Sequence, residues 1–247
     1  MSKPHQVKFT FHRTLNDFLD KQLRNQPVRY DFSNKPTVKD AIEALGVPHV
    51  EVYAISINAE PANFDCHLFD GQGIEVFDHF SASSKSQVGL LRKDPVNLKF
   101  ILDVHLGQLA RFLRMFGLDT FYTNHLGDPA IIEVSNLENR VILTRDIGLL
   151  KHGDTSYGYW IRSDQPKEQL KEIFSRFDLS AHLNPMSRCL ECNGLIQSVD
   201  KAKVAAQLPP VVRKEHAEIY QCEKCQKLYW KGSHFKRMLQ FIDEIKN

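Results

Sequence analysis

Two short apolar runs, each leading to an acid, constrain this chain more than any other feature. Phe100-Ile101-Leu102 leads into Asp103, and Val141-Ile142-Leu143-Thr144 leads into Arg145-Asp146. Both runs are continuous, rich in β-branched or aromatic residues, and cut off by a polar break, as buried strands are. Between them, Leu106, Leu109, Ala110, Leu113 and Phe116 fall on one face of a helix from about His105 to Phe116, closed by Gly117. Asp128-Pro129 starts a second helix, with Asp128 as N-cap, Pro129 at the first helical position and Glu133 one turn inside. Asp119–Tyr122 and Tyr157–Arg162 read as further strands, and Pro166 opens a last helix with Leu170, Ile173, Phe174 and Phe177 on one face. Strands alternating with helices form a parallel sheet, and ligands bind outside the carboxyl ends of its strands. Asp103 and Asp146 stand at such ends. The pattern therefore predicts two carboxylates on one rim, as a divalent-metal site requires.

Residues 1–80 follow a different pattern. Val7, Phe9 and Phe11 alternate with Lys8, Thr10 and His12 in a half-buried strand, and Val28–Phe32 is a second strand. Thr37 caps a helix over Val38–Leu45 that ends at Gly46. Strands follow at Tyr53–Asn58 and Ile74–Phe77, with a short piece at His67-Leu68 and a turn at Asp70-Gly71. This order resembles a ubiquitin-like β-grasp close to the small sulfur-carrier proteins, in which a free C-terminal Gly-Gly is the reactive end. Here the last strand runs into Val76-Phe77-Asp78-His79-Phe80 and the chain continues. The reading is then a module that docks a protein partner, or a stabilising appendage. Residues 81–97, with Ser-Ala-Ser-Ser-Lys-Ser at their start and Lys93-Asp94-Pro95 near their end, read as a polar linker.

Residues 185–247 carry the third signal. Cys189-x-x-Cys192 and Cys222-x-x-Cys225 are 29 residues apart, and two such pairs supply four thiolates for a tetrahedral Zn²⁺. A four-cysteine site has no open position, so the metal is expected to be structural. The span between the pairs, with Pro209-Pro210, reads as a loop, and Gly194 allows a tight turn after the first pair. Cys66 stands alone and reads as a small buried apolar residue. Trp230, Lys231, His234, Lys236 and Arg237 follow the second pair, and Met238, Leu239, Ile242 and Ile245 mark one face of a terminal helix. Aromatics stack bases and cations bind phosphates, so Lys231, His234 and Arg237 are candidate nucleic-acid contacts. Trp230 reads equally well as a cover for the ribbon core.

The net charge of +2 is uneven. Residues 185–247 hold 11 Lys and Arg against 7 Asp and Glu, while residues 99–184 hold 10 against 11. The basic excess therefore lies beside the cysteines, a modest hint of a polyanion partner. With 42% hydrophobic and 25% charged residues and no long apolar run, the chain reads as globular, outside any membrane, with reduced thiols and a cytoplasmic location.

Asp103-Val-His-Leu-Gly107, Leu109-Ala-Arg-Phe-Leu-Arg-Met-Phe-Gly-Leu-Asp119, Leu143-Thr-Arg-Asp146, Tyr159-Trp-Ile-Arg-Ser163, Glu168-Gln-Leu170, the four cysteines and Tyr229-Trp-Lys-Gly-Ser-His234 occur in one order. Together they resemble the Mut-seven C-terminal ribonuclease domains, a compact branch of the PIN-like nucleases, some of which carry a ubiquitin-like domain in front. The resemblance implies an α/β fold: a PIN-like parallel sheet at residues 98–184, a β-grasp at 1–80 and a zinc ribbon at 185–247. It also implies Mg²⁺- or Mn²⁺-dependent RNA hydrolysis, with Asp103, Asp128 and Asp146 matching the acidic positions. Many PIN-like nucleases place another acid two residues after the last of these; here that residue is Gly148, so either Asp154 or Glu133 substitutes, or the site holds one metal tightly and the second only with substrate. Arg114 and Arg145 are the candidate contacts to the phosphate of a single-stranded RNA. The alternative reading is a non-catalytic RNA-binding adaptor that docks through its ubiquitin-like domain.

Overall fold

The computed structural model describes residues 5–83 and 89–246, apart from the side chains of Ser180, His234 and Lys246. Strand β1 (His5–Phe11) places Val7, Phe9 and Phe11 in the core, as their alternation requires. It is followed by β2 (Val28–Phe32), α1 (Val38–Ala44), β3 (Ala54–Ile57), β4 (Glu60–Ala62), β5 (Gly73–Phe77) and α2 (His79–Ser83). The strand order is β2-β1-β5-β3-β4, with β1 antiparallel to β2 and parallel to β5. That is the β-grasp arrangement. Helix α1 buries Val38, Ala41 and Ile42 in the same core, and Thr37 and Asp40 form a reciprocal capping box at its start. Cys66 is half-buried against this core. The expected linker is only partly a linker. Ser81 and Ala82 are buried within α2, Leu90 bridges Ala54, and the Leu91 N–H donates to the Tyr53 carbonyl at 2.9 Å. Residues 84–88 of that span lie outside the described residues.

The middle of the chain alternates β6 (Lys99–Leu102), α3 (Gly107–Met115), β7 (Asp119–Phe121), α4 (Asp128–Glu138), β8 (Val141–Thr144), α5 (Ile147–Lys151), β9 (Gly158–Trp160) and α6 (Pro166–Arg176). Strand β6 is parallel to both β7 and β8. Its Phe100, Ile101 and Leu102 are buried with Ile142, Leu143, Leu109, Leu113, Leu170 and Ile173. Helix α3 begins later than its apolar spacing suggests, after a 3-10 turn at Val104–Leu106. It ends where Gly117 adopts φ +86°, and a Cβ there would fall 2.0 Å from the Asn184 carbonyl oxygen. The N-cap of α4 is Gly127, not Asp128, which occupies the first helical position. Gly127 has the extended backbone of a cap, and no side chain makes a capping bond.

The chain forms two compact units. One is Met1–Val96 with Asp146–Trp160; the other is Asn97–Arg145 with Ile161–Asn247. The second includes the ribbon, an antiparallel sheet of β10 (Ile196–Val199), β11 (Ile219–Cys222) and β12 (Leu228–Tyr229). The span between the cysteine pairs is not a loop: α7 (Lys201–Val204) and α8 (Pro210–Glu215) bring Val204, Leu208 and Val212 onto Ile219, with Trp230 packed against them. The terminal helix α9 (Ser233–Lys246) buries Ile242 and sets Phe241 5.1 Å from Phe112 of α3. No helix among the described residues is long and apolar enough to cross a membrane.

Candidate active site and metal centre

Asp103 follows the last residue of β6 and is 6% exposed. One carboxylate oxygen accepts from the His105 N–H at 2.8 Å. The other accepts from the Thr144 hydroxyl and from the Arg145 N–H at 3.1 Å. The carboxylate thereby ties the end of β6 to the end of β8 through two backbone N–H groups and a hydroxyl. Thr144, fully buried, is a site residue the sequence reading passed over; its one signal is a hydroxyl closing an apolar run. Asp128 is exposed in the first turn of α4. Asp146 is exposed and caps α5, with Oδ1 accepting from the Gly148 N–H at 2.7 Å. A Cβ at position 148 would stand 3.0 Å from that same oxygen, so the residue in the missing acid's place is held close against Asp146. Glu133 and Asp154 are exposed.

The basic candidates divide sharply. Arg114 is 4% exposed and donates to backbone carbonyls throughout: Nε to Thr120 at 3.0 Å, Nη1 to Leu190 at 3.2 Å and Glu191 at 2.7 Å, and Nη2 to Tyr122 at 3.4 Å. The expectation of a phosphate contact at Arg114 is corrected on this ground: its guanidinium is buried and committed to the fold. Arg145 is exposed, with Nη1 donating to the Ser163 carbonyl. Lys231 is exposed and pairs with Glu218 at 2.9 Å, its ammonium 5.4 Å from the Tyr220 ring centre. Arg237 is exposed on α9. The side chain of His234 lies outside the described residues.

Cys189, Cys192, Cys222 and Cys225 bring their sulfurs within 4.8 Å of one another. Among the described residues this is the one such group of three or more potential ligands, and the three aspartates do not form a second. Cys189 lies 3.5 Å from Cys225, and Cys192 lies 3.4 Å from Cys222. A tetrahedral ion with Zn–S of about 2.3 Å sets its sulfurs about 3.8 Å apart, so the cluster fits a metal such as zinc. Burial tends to raise the Cys189 thiol. The Tyr229 hydroxyl at 3.1 Å and nearby backbone N–H groups outweigh that, and hold it down at about 7. Burial and the neighbouring sulfurs push Cys225 up to about 12. A Cβ at Gly194 would meet the Cys222 sulfur at 2.8 Å, so glycine keeps this centre clear.

A polar network fastens the first cysteine pair to β7. Besides Arg114, the Asn193 side chain donates to Asp119 at 2.8 Å and accepts from the Thr120 N–H at 3.0 Å. Asp119 also takes Arg140 at 2.7 Å and Arg188 at 3.0 Å. Burial alone would raise the Asp119 carboxyl, but the Arg140 and Asn193 hydrogen bonds hold it below the ordinary aspartate value. No sequence motif flagged these residues as a set.

The fold and centre define a class: a parallel α/β core carrying a four-cysteine ribbon, preceded by a β-grasp. The Mut7-C RNAse domain model matches residues 98–242, more than half of the chain, and the Mut7-C ubiquitin model matches residues 4–84. The chain belongs to the Mut7-C RNAse domain family and carries the ubiquitin-like domain in front. No curated protein and no solved structure matches it.

Proposed function

We propose that this protein is a metal-dependent ribonuclease that hydrolyses RNA phosphodiester bonds. Asp103, Asp128 and Asp146 are its metal-holding acids, and Arg145 is its phosphate contact. The observation that carries the reading is the Mut7-C RNAse match over residues 98–242, which contains all three acids. Asp103, buried and fixed at a strand end, supports it, because such a carboxylate keeps its place as charge gathers around it. Oxygen donors suit hard cations such as Mg²⁺ or Mn²⁺. A bound divalent ion would lower the pKa of a water nucleophile and offset charge on the phosphate. The cysteines hold a structural zinc, and the basic C-terminal module, through Lys231, His234 and Arg237, helps to capture single-stranded RNA. Four thiols poised for metal suit a reducing compartment, so we place the protein in the cytoplasm. The test is incubation of the purified chain with labelled single-stranded RNA in Mg²⁺, in Mn²⁺ and in chelator. Cleavage that needs the metal is expected; RNA binding without cleavage in any metal makes the protein an adaptor.

A further inference from the structure

The segment Asp146–Trp160 belongs by sequence to the RNAse match, yet it packs in one compact unit with the ubiquitin-like residues. Three side chains from residues 49–92 hold its backbone. His49, 5% exposed, sets Nε2 3.0 Å from the Thr155 carbonyl oxygen. Glu51, 4% exposed, accepts from the Trp160 N–H at 2.6 Å. Arg92 Nη1 joins the two sides, donating to the Val50 carbonyl at 3.0 Å and to the Ser156 carbonyl at 3.2 Å. The Phe18 and Trp160 rings lie 5.0 Å apart over the same seam.

The hold reaches Asp146 through a short path. The Thr155 hydroxyl donates to the Leu149 carbonyl at 3.1 Å, and Leu149 lies in α5, the helix that Asp146 caps. Thr155, Leu149 and Leu150 are all buried. Helix α5 has only five residues, too few to hold its conformation alone. A module kept only for an outside partner has no reason to bury a histidine and a glutamate on backbone groups about a hundred residues away. Burying such groups is costly unless they are hydrogen-bonded; His49 also pairs through Nδ1 with Glu43 at 2.7 Å, and His49, Glu51 and Arg92 each reach one main-chain group of Thr155–Trp160.

We propose that the ubiquitin-like domain is an intramolecular clamp, and that His49, Glu51 and Arg92 are positioning residues that hold Asp146–Trp160 and thereby place Asp146 for RNA cleavage. The proposal rests on the ribonuclease reading. Any external partner of this domain then uses a surface other than the Pro48–Glu51 turn.

The test uses the full chain with Glu51→Ala, and with Glu51→Gln as the conservative variant that keeps a carbonyl acceptor for Trp160. Hydrogen exchange is read at residues 146–160 and at β6 and β8, and kcat and KM are measured on single-stranded RNA with Mn²⁺. The alanine variant is expected to speed exchange at 146–160 by about tenfold or more while β6 and β8 keep their protection. Its kcat falls by a similar factor, KM changes little, and the glutamine variant recovers most of both losses. Should Glu51→Ala lose protection everywhere, Arg92→Lys replaces it, with the same readings. Unchanged exchange at 146–160 overturns the clamp. Faster exchange with unchanged kcat overturns the positioning role. A wild-type chain that cuts no RNA in any metal defeats the ribonuclease reading and the positioning role with it, while the exchange data alone decide the clamp.

Discussion

Asp103 and Asp146 are both aspartates at the head of a helical turn, but their surroundings set different costs for changing them. Asp146 is exposed and uses one oxygen as a cap, a task asparagine performs about as well. Asp146→Asn should leave the thermal midpoint nearly unchanged and abolish RNA cleavage. A variant that cleaves normally removes Asp146 from the site. Asp103 accepts three hydrogen bonds while buried, and an amide would turn a donor toward at least one donor. Asp103→Asn should therefore lose activity and also about 1–3 kcal/mol of stability, read from denaturant midpoints. A different buried aspartate, Asp78, couples stability to pH. Burial tends to raise its carboxyl, but hydrogen bonds from Ser81 and Thr14 outweigh that and hold it below the ordinary 3.8. A depressed folded value means the stabilisation is fully present above 3.8 and is lost as pH falls through the lower folded value. Asp78→Asn should destabilise the chain at pH 7, and the gap to wild type should narrow below pH 3.8. A gap that stays constant across that window removes the charge from the explanation.

At the scale of elements, the ribbon gathers four cysteines and is fastened to the β7 edge through Arg114 and Asn193. Its small core offers Val204, Leu208, Val212 and Ile219, little apolar burial for a module of this size. Metal removal by chelator should raise exchange across residues 185–230 while β6 and β8 stay protected, and Cys189→Ser should do the same with lower zinc content by elemental analysis. If the ribbon keeps its protection without metal, the cysteines are not what stabilises it. The long buried elements were legible in the sequence. β1, β2, α1, β6, β8 and α6 each carry an unbroken period of two or 3.6 or a continuous apolar run, and burial acts on that pattern directly. β4 and α5 were not: Glu60-Pro61-Ala62 carries no apolar run or alternation, and five residues make too little of a helical period. The cysteine centre was legible because its ligands are side chains with fixed spacing. Arg114 was misread because its partners are backbone carbonyls, which have no sequence signature. The hold on Asp146–Trp160 was hidden for the same reason: its acceptors and donors at Thr155, Ser156 and Trp160 are all main-chain groups.

At the scale of the whole molecule, the basic excess and the three acids of the proposed site are set apart along the chain. Residues 185–247 carry 11 Lys and Arg against 7 Asp and Glu, whereas residues 99–184, with all three acids, carry 10 against 11. Carboxylates that hold a metal, as in the proposed function, repel phosphate until the cation arrives, so cationic side chains elsewhere in the chain would assist capture. Lys231 is engaged with Glu218, but that pair is exposed and holds it weakly. An incoming phosphate can therefore compete for the ammonium, and Arg237 lies exposed six residues further on. Replacing Lys231 and Arg237 together by alanine should weaken RNA binding. The salt dependence should flatten by about 0.7 in slope for each single-strand phosphate that the variant no longer neutralises. Turnover at saturating RNA should stay near wild type, because contacts that only hold the RNA bind substrate and transition state alike. The measurement is RNA affinity by fluorescence anisotropy across a salt series, beside steady-state cleavage in Mn²⁺. An unchanged slope means the C-terminal surface does not touch the phosphates. The ribbon would then serve the fold alone, through Arg114 and Asn193, and the cations that guide RNA would have to lie elsewhere, with Arg145 the first to test.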